Sequence, residues 1–194
     1  MRAVSARGLM WGNRGALLGA DGELARHSRG RGWVCCVLEF HGRHRDQWRP
    51  GHLTELYVLD EATALAAGHR PCGECRRGDH LRFKAVWSSL FPADTTAAAI
   101  DRRLHDARLV APGEHRTYEA PLADLPDKTF VEHDGGFWLV LGASVLPWSF
   151  AGYGPARPRA TFPATVTVRT PEPTVAVLRA GFVPMLHPSA RDAR

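Results

Sequence analysis

The sequence predicts an α+β fold: a small α/β module, then helices, then a β-rich unit with a terminal helix. Three observations predict it. Residues 33 to 68 alternate strand-like and helix-like runs, residues 79 to 109 carry apolar side chains at helical spacing, and from Leu122 onward the chain breaks into short β runs. At 194 residues the chain suits one large domain or two small ones. The expected division is residues 1–110 for the first module with its flanking hairpin and helices, and 118–190 for the β-rich unit.

In order, "LLGADGEL" (17 to 24) sets Asp21-Gly22 between short apolar stretches, a tight-turn signal that predicts a hairpin. "WVCCVLEF" (33 to 40) is apolar and β-compatible and reads as a strand. The polar loop "HGRHRDQWRPGH" follows, then a second strand "ELYVLD" (55 to 60), whose Asp60 can cap the short helix "EATALAA" before Gly68 stops it. Asp79 offers another cap to an amphipathic helix over 80 to 91, carrying Leu81, Phe83, Val86, Trp87 and Leu90. Asp94 starts a further helix to about Leu109, with Arg102, Arg103 and Arg108 expected on a solvated face. "KTFVEH" and "FWLVLG" flank Asp134-Gly135-Gly136 as a hairpin, and "SVLPWSF" and "TVTVRT" add strands. Pro155 to Pro163 reads as a linker or long loop, and Thr170-Pro171 starts a helix that runs to Ala180.

Hydrophobic residues make up 44% and charged residues 23%, which excludes a fibrous repeat or wholesale disorder. No apolar run approaches the roughly 18 residues of a membrane span, and no apolar segment of signal-peptide length follows Met1, so a cytoplasmic location is expected. Of the 25 basic residues 23 are arginine. Residues 1–50 hold nine arginines against Asp21, Glu23, Glu39 and Asp46. Residues 69 to 84 add Arg70, Arg76, Arg77, Arg82 and Lys84 against Glu74 and Asp79. Arginine suits bidentate recognition of phosphate, which makes nucleic acid the first partner to consider. No Gly-x-Ser-x-Gly element, dinucleotide fingerprint or Walker loop is present.

Cys72-Gly73-Glu74-Cys75 has the spacing of half a zinc site. With no secretory signal, structural disulfides are not expected. A redox pair would open a helix directly after a strand, whereas here a short helix precedes the motif. Pro71 and Gly73 favour a turn on which two thiolates converge, and zinc then needs two more tetrahedral ligands. His41 and His44, in "HGRH", supply the expected pair. The alternative is that Cys35 or Cys36 replaces one histidine, and only one of the two can reach the metal because neighbours on a strand point to opposite faces.

The stretch "VLDEATALAAGHRPCGECRR" (58 to 77) resembles the amino-terminal zinc-binding domain of the bacterial Ada DNA-repair protein. The resemblance covers roughly residues 33 to 80 and is carried by Phe40 and, above all, by Gly68, Arg70, Pro71, Cys72 and Cys75. It implies a zinc-stapled module with affinity for DNA, in a protein associated with DNA repair or DNA modification. His41 stands where that family carries its methyl-accepting cysteine, and histidine lacks the sulfur nucleophile for that transfer. The expectation is therefore a zinc-containing nucleic-acid-binding protein, with Arg43, Arg45, Arg70, Arg76 and Arg77 on phosphates and DNA as the partner. The alternative is a metal-dependent DNA-processing enzyme, a nuclease or a base-modifying or repair enzyme, drawn from the density of histidine and acid around the cysteine turn.

Overall fold

The computed structural model describes residues 4–43 and 47–192. Its first sheet uses β1 (Met10–Asn13), β2 (Val34–Val37) and β3 (Glu55–Val58), followed by α1 (Glu61–Ala66) and β4 (Arg70–Pro71). The strand order is β3-β1-β2-β4, antiparallel except for the parallel pair β2–β4. β1 lies between the two predicted strands and keeps them from pairing with each other. Leu18 and Leu24 form the expected hairpin contact, as an isolated bridge.

Asp60 caps α1 as expected, its carboxylate accepting from the Thr63 N–H at 2.8 Å. The other carboxylate oxygen accepts from the Tyr153 hydroxyl and the His187 N–H, which fastens the C-terminal segment to this helix end. Gly68 ends α1 at φ +84°, and a Cβ there would meet Arg108 Cδ at 2.4 Å. Both the left-handed backbone and the close approach therefore require glycine.

α2 (Arg77–Leu90) starts three residues before its predicted first residue and buries only Phe83 and Trp87, one turn apart, while Leu81 and Leu90 face out. α3 (Ala97–Arg108) is capped by Thr96 rather than Asp94. A small ribbon of β5 (Leu109–Ala111) and β6 (Glu114–His115) leads to the second sheet. That sheet contains β7 (Tyr118–Pro121), β8 (Phe130–His133), β9 (Gly136–Leu141), β10 (Ser144–Ser149), β11 (Gly152–Tyr153), β12 (Arg157–Pro158) and β13 (Thr165–Val168). Its path is β11-β10-β9-β8-β13-β7, with β12 on β10. Asp134 and Gly135 both have positive φ, the mirror-image turn that matches the twist of the β8–β9 hairpin. α4 (Glu172–Arg179) and α5 (Ser189–Asp192) close the chain.

The helices join the two sheets. Ala62 and Ala66 of α1 share a core with Phe130, Leu139, Leu141, Leu146 and Tyr153, while Ala64 packs on Met10 and Cys35 of the first sheet. Leu65 joins Phe83, Trp87, Ile100, Leu104, Val177 and Leu178 between the helices. Small alanines let α1 be approached from both sides.

Three arginines turn inward. Arg108, expected on a solvated face, is fully buried, donates to Gly68 O at 2.8 Å and Arg31 O at 2.6 Å, and stacks on Trp33. Arg70 forks onto both oxygens of Asp101 at 2.7 and 2.8 Å. Arg76 bridges Glu61 and Asp79, each at 2.7 Å.

His69 is buried beside Arg108 and Arg14, and its Nδ1 faces Ala64 O at 3.1 Å while Arg14 donates to its Nε2. Burial first, and the Arg14 charge second, push its pKa well below 6.5. Above about pH 6.5 the ring is neutral folded or unfolded. Below that value only the unfolded chain takes up the proton, so stability is lost as the pH falls toward the folded-state pKa. Melting at pH 5 is expected to occur at a lower temperature than at pH 7, with a shallower decline in His69→Gln. Equal slopes in the two proteins would contradict this.

Candidate metal centre

The register of the first sheet builds the site. Cys35 lies opposite Pro71 in the parallel β2–β4 pair, and the Cys72 N–H donates to Cys35 O at 3.0 Å. The residue after Cys35 is thereby set beside Cys72. Because side chains alternate along a strand, Cys35 points toward α1, where its thiol meets Met10 Sδ at 3.1 Å. Cys36 points to the other face. The Sγ atoms of Cys36, Cys72 and Cys75 all lie within 4.8 Å of one another. Three thiolates on one tetrahedral zinc, with bonds near 2.3 Å, would be about 3.8 Å apart, so the cluster is close to ligating geometry.

The turn after β4 is shaped to hold thiolate sulfur. The Arg76 N–H donates to Cys72 O at 3.2 Å and closes the Cys72–Cys75 turn. Within it, the N–H groups of Glu74 and Cys75 point at Cys72 Sγ, and the Val37 N–H points at Cys75 Sγ. The neighbouring Cys36 thiol first, and the two turn N–H groups against a burial penalty, pull the Cys72 pKa down to about 5. The proximity of Cys72, with burial, drives Cys36 strongly upward. A cation bound by all three sulfurs would require each of them as thiolate, so binding would release protons.

Three cysteines could therefore hold a metal ion, and all three line a cavity of about 1100 Å³. Its walls include Trp11, Asn13, Glu55 and Tyr57 from the sheet, Phe40 to Arg43 from the loop after β2, and Arg7.

The predicted ligands are distributed as follows. Cys72 and Cys75 are in the cluster with Cys36, one of the two alternatives open at the sequence level. His41 lines the same cavity but stands outside the sulfur group. It occupies a turn closed by Arg43 N–H on Phe40 O, at φ 52°, and its ring rests edge-on against Phe40 at 4.1 Å. His44 and Arg45 lie outside the described residues.

Among the predicted phosphate contacts, Arg43 and Arg77 are exposed, Arg43 pairing with Glu74 at 2.8 Å. Arg70 and Arg76 correct the expectation: both are buried on carboxylates of α1, α2 and α3 and have no free face for a phosphate. Neither Glu55 nor Asn13 belongs to a spacing motif that would pair them in the sequence. They meet only through the β1–β3 register, Asn13 opposite Glu55.

No protein-family model, curated protein or solved structure matches this chain. Among the described residues, no helix is long and apolar enough to cross a membrane.

Proposed function

We propose that the protein is a zinc-containing nucleic-acid-binding protein, with zinc held by Cys36, Cys72 and Cys75 and with DNA as its partner. The convergence of three thiol sulfurs within 4.8 Å carries the reading. Soft thiolate ligands select zinc, copper(I) or iron–sulfur centres over magnesium or calcium, and a tetrahedral site built on a Cys-x-x-Cys turn is typical of zinc. Arg7 and Arg43 line the cavity and are exposed, and in the loop that follows Arg49 is exposed and Trp48 presents its indole at 51% exposure, held at φ 63°. Arginines beside an outward indole suit a single strand, whose phosphates meet cations while a base stacks on the ring. Arg77 at the start of α2 adds a further exposed cation.

The second reading, a metal-dependent DNA-processing enzyme, is favoured by the cavity itself. Three protein ligands leave one position for water or substrate, the arrangement of a catalytic rather than a closed structural zinc.

Zinc-loaded protein titrated with fluorescent single-stranded and duplex DNA at several salt concentrations tests both readings. Four phosphate contacts predict that log K falls with log salt at a slope of about −3 on single strands. Arg43→Ala and Arg77→Ala are each expected to flatten that slope. Absence of DNA binding at low salt would overturn the proposal, and a new product under single turnover would select the second reading.

A further inference from the structure

Glu55 is a carboxylate in an unusual position. It is 5% exposed, yet it forms no ion pair or hydrogen bond among the described residues, and its Oε2 is buried with no partner. A buried, unpaired carboxylate is costly, because it has lost water and gained nothing in return. It lines the cavity that holds the three thiols, so a ligand with N–H donors could satisfy it there.

Its neighbour supplies the complementary group. Asn13 faces Glu55 across the β1–β3 pair, on the same face of the sheet, and also lines the cavity. Side chains directly opposite on antiparallel strands lie about 5 Å apart at Cβ. Asn13 Oδ1 accepts the Gly15 N–H at 2.9 Å, which fixes the amide and leaves its NH2 group as a donor without a partner among the described residues. The wall therefore sets the Asn13 donor beside the Glu55 carboxylate, one oxygen of which is buried without a partner. Tyr57, 43% exposed, stands on the same face with Trp11, and both line the cavity.

We infer that this wall reads an unpaired guanine base through Asn13 and Glu55. The inference rests on the nucleic-acid-binding reading and names the base that the cavity selects. Guanine presents an O6 acceptor followed by N1–H and N2–H donors along its Watson–Crick edge. Asn13 donates to O6, and the Glu55 carboxylate accepts N1–H and N2–H side by side. The other bases do not fit. Adenine and cytosine each place a ring-nitrogen acceptor against the carboxylate, and thymine offers a single N–H flanked by two carbonyls. An unpaired base can enter such a wall and stack on an aromatic ring, whereas a base in a duplex has this edge occupied.

The test uses zinc-loaded full-length protein and four otherwise identical oligothymidylates carrying dG, dA, dC or dT at the centre. Guanosine 5′-monophosphate and adenosine 5′-monophosphate serve as free ligands. A central dG is expected to bind on the order of tenfold more tightly than the other three, the usual size of a bidentate base contact. Glu55→Gln, which turns one acceptor into a donor, is expected to abolish the preference while melting at or above the wild-type temperature. Should that variant fail to fold, the four-oligonucleotide comparison on the wild type decides alone. Equal binding of all four overturns the guanine assignment and leaves the DNA-binding proposal standing. Binding of guanosine monophosphate over adenosine monophosphate without DNA binding upholds the assignment and overturns the DNA proposal. Binding of no oligonucleotide and no nucleotide overturns both.

Discussion

Changing Cys36 to serine is expected to lower zinc affinity by on the order of 100-fold or more, since loss of a mere supporting contact to a metal ligand already costs 10- to 100-fold. Serine keeps the volume but supplies no thiolate. Its hydroxyl can still donate to Cys72, so the apo fold should persist better than the metal site does. The loss should appear as zinc content well below one per chain after dialysis and as earlier melting that added zinc no longer reverses. Cys35→Ser is the control. Cys35 faces α1 and Met10, and burial raises its thiol pKa to about 12, both features of a packing residue rather than a ligand. That variant should keep its zinc while losing some stability. If the two cysteine variants exchanged these behaviours, the register argument that sets Cys36 beside Cys72 would be wrong.

Arg76→Ala should destabilise the protein by about 3–5 kcal/mol, the usual cost of removing one partner from a buried ion pair. Its guanidinium ties Glu61, at the start of α1, to Asp79, in the first turn of α2, and its NH1 also reaches Cys35 Sγ at 3.8 Å. Glu61 in turn accepts the Met185 N–H through its other oxygen. Deleting Arg76 strands a carboxylate that is 2% exposed and loosens the residue directly after the cysteine turn. Thermal unfolding should begin roughly 10 °C lower, given about 2–4 °C per kcal/mol at this chain length. The double variant Arg76→Met with Glu61→Leu should recover much of the loss, because it removes both charges together. An unchanged melting temperature in Arg76→Ala would mean that the bridge contributes nothing. If the double variant also binds DNA normally, the structural assignment of Arg76 is separated from any role on phosphate.

The sequence carries the fold class well where period and punctuation agree. The Asp60 cap, the Gly68 stop and the Asp134-Gly135 hairpin each follow from local chemistry that tertiary contacts reinforce. Strand β1 does not show, because "MWGN" is short and ends in residues depleted from strands. It becomes a strand only by accepting partners on both edges. The inward arginines were equally hidden, since a chain displays their charge but not the carboxylates that fold back on them. Asp101 lies 31 residues beyond Arg70, and Glu61 lies 15 before Arg76.

For the candidate metal centre, the Cys-x-x-Cys half is legible from Cys72 and Cys75 alone. The third thiol is not, because adjacent Cys35 and Cys36 offer equal chemistry and differ only in the face each takes. That choice is made by a two-residue parallel pairing, Val34 with Arg70 and Cys35 with Pro71. Pairing of this kind leaves no periodic trace in either segment. The pairing of Glu55 with Asn13 is hidden for the same reason, since it arises only from their standing opposite each other across β1 and β3.

X-ray absorption at the zinc edge on zinc-loaded protein tests the central claim most directly, because it counts sulfur neighbours without altering the chain. One zinc per chain with three sulfur atoms near 2.3 Å and one lighter nitrogen or oxygen neighbour is the expected result. Protein that retains no zinc, or zinc with two or fewer sulfur neighbours, would contradict it.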